Sequence, residues 1–131
     1  MKRTLLPSGW IKPRGYANGV AARGTQVYIA GQIGWDEEAR FVSTEFGAQA
    51  VQALRNVVAI LREAGGKPEH LVRMTWYVTD KRAYLAAAKE IGAAFREVIG
   101  DYDIAMSAVQ VVALIEDEAL VEIEATAVIP D

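Results

Sequence analysis

Glu122 and Glu124, in the stretch "LVEIEATAV", are the residues of this chain best placed for acid–base chemistry. On an extended strand they share one face, with carboxylates roughly 7 Å apart from the strand rise. Such a pair can activate a water and return a proton in turn, as in glycoside hydrolysis. The plain alternative is that both are solvated on an outer face. If that face is covered, each carboxylate must find a partner, so at least one of the two is a candidate. A few residues earlier, "DIAMSAVQVVAL" (Asp103 to Leu114) carries Met106 in a run with almost no charge and no cation to hold an anionic ligand.

Other chemistries fail on inventory. There is one histidine and no cysteine, which removes disulfides, thiolate nucleophiles, cysteine–zinc clusters, serine or cysteine triads and a two-histidine ribonuclease site within one subunit. His70 follows Pro68 and Glu69 at a helix-to-strand turn and reads as a surface residue, so no metal is expected. Gly31-Gln32-Ile33-Gly34 does not lead into a helix start and is no phosphate cradle. It reads as a bulge or turn, where Gly31 lets a ligand approach the backbone closely.

The elements that must position these residues follow from periodicity. "TQVYIAGQIG" is a short strand ended by Gly31 and Gly34, and Gly19 to Ala22 reads as another. Phe46, Ala50, Leu54, Val57, Val58 and Leu61 form a helical stripe, with Ser43 or Thr44 as cap and Gly65-Gly66 as stop. "LVRMTWYVT" returns to period two, with Val72, Met74, Trp76 and Val78 on one face. Asp80 caps a second helix whose stripe runs from Tyr84 to Val98 and stops at Gly100. Ile104 to Leu114 reads as a strand apolar on both faces. Leu120 to Ile129 reads as one with Val121, Ile123, Ala125 and Ala127 opposite Glu122, Glu124 and Thr126.

This order describes a single α+β domain over residues 1–131. Two helices with single stripes cover one sheet face, so the other is expected to be buried against further copies of the chain, as a closed homo-oligomer. Only Leu5 and Leu6 separate the basic start from Pro7, too few for a signal-peptide core. The longest apolar run, Ile104 to Ile115, is shorter than the ~20 residues of a membrane-spanning helix. A soluble, cytoplasmic protein without a membrane partner is the expectation. The net charge is −3, with five basic residues and no acid before Asp36, and nine acids and no Lys or Arg after Arg96. The two ends should attract. The basic start is too sparse to favour nucleic-acid binding.

"GYANGVA" (from Gly15), "IAGQIGWD" (from Ile29), "AQAVQALRNVVAILREAGG" (from Ala48), "VRMTWYVTD" (from Val72) and "VEIEATAV" (from Val121) together resemble the Rid family. These are the reactive intermediate/imine deaminases, also called YjgF-type proteins. The resemblance implies a chorismate-mutase-like fold with two helices on one sheet face, a barrel-like homotrimer, and a ligand cleft at each subunit interface. It also implies cofactor-free hydrolysis of enamines and imines such as 2-aminoacrylate to 2-keto acids and ammonia. Carried onto this chain, Tyr16 matches the tyrosine lining the cleft, Gly31 the glycine that helps bind the ligand, and Glu124 the glutamate that handles water. The arginine that forks onto the substrate carboxylate is replaced: Met106 stands there, followed by Ser107, and Ala88 stands in place of a helix asparagine. Arg14 is a candidate to take over the charge.

The resemblance therefore predicts a divergent member acting on a small molecule, with weak or absent activity on 2-iminobutanoate and 2-aminoacrylate. The alternatives are a non-catalytic small-molecule-binding trimer and, least supported, an endoribonuclease or translation inhibitor.

Overall fold

The computed structural model describes residues 2–131. Strands β1 (Lys2–Leu5) and β2 (Gly19–Ala22) pair antiparallel as a small ribbon. Then come β3 (Thr25–Gln32), α1 (Phe46–Glu63), β4 (Leu71–Val78), α2 (Lys81–Ala86), α3 (Ala88–Val98), β5 (Ala105–Gln110) and β6 (Val121–Ile129). The main sheet has the order β3-β6-β4-β5. Strand β6 runs antiparallel to both β3 and β4, while β4 and β5 are parallel across the α2–α3 crossover. The helices cover one face, as the α+β reading requires.

Strict alternation along β6 sets that face. Val121, Ile123, Ala125 and Ala127 are buried, with Glu122, Glu124 and Thr126 between them on the opposite side. Leu54, Val57 and Leu61 of α1 close the core over Leu71, Met74, Trp76 and Val78 of β4. At the start of β4 a register shift between Leu71 and Arg73 makes Leu71, rather than Val72, the core residue.

Four expectations need correction. The start of the chain, read only as a basic segment, forms β1, and Lys2 Nζ donates to the carbonyls of Glu69 (3.2 Å) and Leu71 (3.0 Å). The N-cap of α1 is Glu45; the Ser43 hydroxyl instead accepts the Glu45 N–H at 2.9 Å, one step before the helix. The second helix is broken at Ala87 into α2 and α3, inside an Ala-Ala-Ala run with no breaker residue. The strand expected from Ile104 to Leu114 ends at Gln110, because its partner β4 ends at Val78. There the Gln110 side chain accepts the Lys81 N–H at 2.7 Å, and the chain leaves the sheet with Val112 and Ile115 exposed. Beside these four corrections, the uncovered face is mixed rather than apolar, with Thr75, Tyr77, Glu122 and Glu124 beside Val109.

Asp80 caps α2 as expected, its Oδ1 accepting from the Arg82 and Ala83 amides. No helix of the described residues is long and apolar enough to cross a membrane.

The β5–β6 connection is held by a buried polar side chain. Gln49 of α1, 1% exposed, donates through Nε2 to Ser43 O (2.9 Å) and Glu118 O (3.0 Å), and its Oε1 accepts the Leu120 N–H at 2.9 Å. Replacing it strands a buried donor and two carbonyls. Gln49→Leu should lower unfolding free energy by about 2 to 4 kcal/mol. Urea denaturation checks this; an unchanged midpoint would show that the knot carries no stability.

Candidate functional site

The sequence candidates fall into two groups on two edges of the sheet. The first surrounds a cavity of about 740 Å³ beside β5, walled by the segment before β2, by α3 and by the turn leading into β5. Tyr16 reaches it because Ala17 is buried and pinned: its amide donates to Ile104 O at 2.9 Å, and Ala17 pairs as a parallel bridge with Ala105. Met106 is in register with Met74, so its side chain turns to the helix side of the sheet and packs on the core. Ser107, Ala88 and Arg14 line the same cavity. The structure thus brings together Tyr16, Met106, Ser107 and the candidate cation Arg14.

Five aromatic side chains, Tyr16, Trp76, Tyr84, Phe95 and Tyr102, line the cavity together with charged and small residues. Tyr84 stands edge-on to both Phe46 and Trp76, with centroids 6.3 and 6.1 Å apart, and burial pushes its phenol above the ordinary range.

The second group lies on the uncovered face. In register across three strands, Ser107 of β5, Thr75 of β4 and Glu124 of β6 form one row, and Val109, Tyr77 and Glu122 the next. Glu124 has found a partner: the Tyr77 hydroxyl donates to its Oε1 at 2.5 Å. On the far side of β6, the register with β3 slips between Ile29 and Gln32, so that Ala30 and Gly31 together oppose Glu124. This is the bulge that the glycines suggested. It places Gly31 against the Glu122 carboxylate, so closely that a methyl group at position 31 would overlap it. Gly31 therefore contacts Glu122, while Glu124 is tied to Tyr77.

Sequence reasoning had singled out Glu124 and left Glu122 as the other member of the pair. The signal for Glu122 was the strand glycine itself, whose missing side chain makes room for a neighbour. Trp76 was read only as core, yet it lines the cavity, and its Nε1 is a buried donor with no partner. His70 is a turn residue whose Nδ1 accepts the Lys67 N–H at 3.0 Å. Among the described residues no group of three or more His, Cys, Asp or Glu could hold a metal ion.

Only Ser107 belongs to both groups; within one chain the rest stay apart. Gly31 is on the edge strand β3 with Glu122 and Glu124 on its inner neighbour β6, and Tyr16 and Met106 are at the β5 edge. Three inter-strand steps separate the two edge strands, roughly 14 Å.

The hydrogen bond to Glu124 is the main cause holding the Tyr77 phenol above its ordinary value of 10.0, with burial and the negative charges of Glu124 and Glu122 adding to it. A phenol whose pKa is raised on folding contributes stability that is complete below the unfolded value and lost as pH rises through the folded one. In an alkaline titration followed by ultraviolet absorbance, Tyr77 and Tyr84 should ionise above the ordinary phenol range, and Tyr77→Phe should remove one such late transition. An unchanged late phase in that variant would refute the Tyr77–Glu124 bond.

Residues 11–129 match the family described as Endoribonuclease L-PSP. A RutC family protein of Aquifex aeolicus is 33% identical over 98% of this chain and 99% of its own length. The 2-iminobutanoate/2-iminopropanoate deaminase of Salmonella typhimurium is 36% identical over 86% of each chain. Among solved structures, a Rid-family protein of unknown function from Yersinia pestis superposes with a TM-score of 0.84 at 34% identity, covering 98% of both chains. With the family match spanning nearly the whole chain and these relatives covering 86 to 98% of it, this protein belongs to the Endoribonuclease L-PSP family, the Rid or YjgF group.

Proposed function

We propose that this protein is an oligomeric deaminase of a small imine or enamine, working in clefts where the β5 edge of one subunit meets the β3 edge of the next. The observation that carries this reading is the split site. One edge offers an aromatic cavity holding Tyr16, Met106 and Ser107, and the other offers carboxylates beside a strand glycine. Edge-to-edge assembly, expected as a homotrimer, joins the two halves. A named imine deaminase among the relatives supports the reaction class.

In this reading a carboxylate removes a proton from water as the oxygen adds to the C=N carbon, and the nitrogen takes up a proton. The carbinolamine then collapses to the carbonyl compound and releases ammonia. Water and substrate supply every atom, so no cofactor is required. Both glutamates are candidates for the base. Contact with Gly31 favours Glu122, whereas the motif resemblance points to Glu124, whose bond to Tyr77 would also suit a positioning role. Met106 cannot hold a carboxylate as a guanidinium does, which argues for low activity on 2-iminobutanoate.

The loss of that guanidinium is also what favours a second reading, a non-catalytic small-molecule-binding trimer. It predicts no turnover and equal ligand affinity in Glu122→Gln and Glu124→Gln.

Hydrolysis of 2-iminobutanoate generated in situ should be slow, and Met106→Arg should raise it by about 30-fold or more, the scale of a charged anchor restored. Glu122→Gln should cut whatever rate is present by about 100-fold, and Glu124→Gln by less. Robust turnover by the unmodified protein would overturn the Met106 argument. Insensitivity to both glutamate variants would overturn the carboxylate mechanism, and a monomer by light scattering at assay concentration would overturn the shared cleft.

A further inference from the structure

We infer that the Met106 cavity binds an organic anion with an aromatic-sized apolar body, its carboxylate held by Arg96 and Arg14 instead of by a side chain at position 106. The inference rests on the proposed cleft and names its ligand class. In one chain the groove has a volume of about 740 Å³, within the range of sites for drug-sized molecules, and it is open on a side that a neighbouring subunit would close. Its walls are Tyr16, Trp76, Tyr84, Ile91, Phe95 and Tyr102. Met106 adds an adaptable thioether that packs well on aromatic rings.

The charge distribution points the same way. Lys12, Arg14 and Arg96 line this cavity, and among the described residues none of the three forms an ion pair. Of the two acids in the wall, Asp103 is engaged by the Thr4 hydroxyl at 2.6 Å and faces the Lys2 ammonium, leaving Asp101 as the opposing charge. Arg96 sits one helical turn after Gly92, and its guanidinium folds back over that glycine, with Nη1 3.6 Å from where a Cβ would stand. The guanidinium lies along the cavity wall over Gly92.

An independent observation is Trp76. It is 3% exposed, it lines the cavity, and its Nε1–H is the one buried side-chain polar atom without a partner among the described residues. A buried donor without an acceptor is costly, and an oxygen of a bound ligand would satisfy it. A carboxylate or carbonyl attached to an aromatic body meets all three features: two guanidinium groups, one N–H donor and an aromatic enclosure.

The test is calorimetric titration of the intact protein with three probes: phenylpyruvate, pyruvate, and phenylacetone as the uncharged counterpart. Phenylpyruvate should bind at least about tenfold more tightly than either of the others, since both the charge and the ring contribute. Arg96→Met should weaken phenylpyruvate by about tenfold or more, with Arg96→Lys recovering part of the loss, and Arg14→Met should weaken it less. Trp76→Phe should weaken phenylpyruvate while leaving the fold intact by circular dichroism. Equal affinity for pyruvate and phenylpyruvate, binding unchanged in Arg96→Met and Arg14→Met, or no binding of any probe would each overturn the inference. Its failure is separable from that of the deaminase reading. Turnover of 2-iminobutanoate without this affinity pattern sinks the clamp alone; the pattern without imine hydrolysis sinks the deaminase alone.

Discussion

The placement of β6 between β3 and β4 is the constraint on which the rest of this molecule depends. It is the last strand in the chain, and its alternation assigns Val121, Ile123, Ala125 and Ala127 to the helix-covered core and Glu122, Glu124 and Thr126 to the opposite face. A slip of one residue would bury both carboxylates under α1 and expose the apolar set, so the register is fixed by an exchange the fold cannot tolerate. The same strand sets Thr75 opposite Glu124 and Tyr77 opposite Glu122, creating the hydrogen bond that Glu124 needs on that surface. Sheet stability and candidate chemistry are thus two faces of one strand.

From that placement follows the division of the site. Because β6 and β4 occupy the middle, the glycine-bearing strand β3 and the Met106-bearing strand β5 are edges. Edge strands are where a sheet can accept a neighbour, which is why the proposed cleft is drawn between the β5 edge of one subunit and the β3 edge of the next. The bulge at Ala30-Gly31 belongs to the same logic. It interrupts pairing where Glu122 needs space, and it does so with the one residue type that leaves the carboxylate room.

Met106 gives the β5-side cavity an apolar, adaptable wall. A guanidinium there would stand among aromatic rings and on the core; Met106 instead joins the hydrophobic packing with Met74. The positive charge lining the cavity now comes from its rim, from the segment before β2 and from α3. A ligand would then be gripped at its periphery and enclosed at its body.

Much of this was legible in the residues alone, wherever a local period or a local cap decided the outcome. The stripe of α1, the Asp80 cap, the alternation of β6 and the two-helices-on-one-face architecture all follow from side-chain spacing. The motifs carry the family. Tertiary structure decided what depends on a distant partner. Strand β5 stops at Gln110 because β4 stops, although its sequence stays apolar to Leu114. β1 exists because β2 is there to pair with it. The break at Ala87 falls within three alanines that carry no local sign of it. The choice of glutamate was likewise beyond periodicity. Glu122 and Glu124 are equivalent by alternation, and only the bulge in β3 and the hydroxyl of Tyr77, dozens of residues away in sequence, make one the neighbour of Gly31 and the other the partner of a tyrosine.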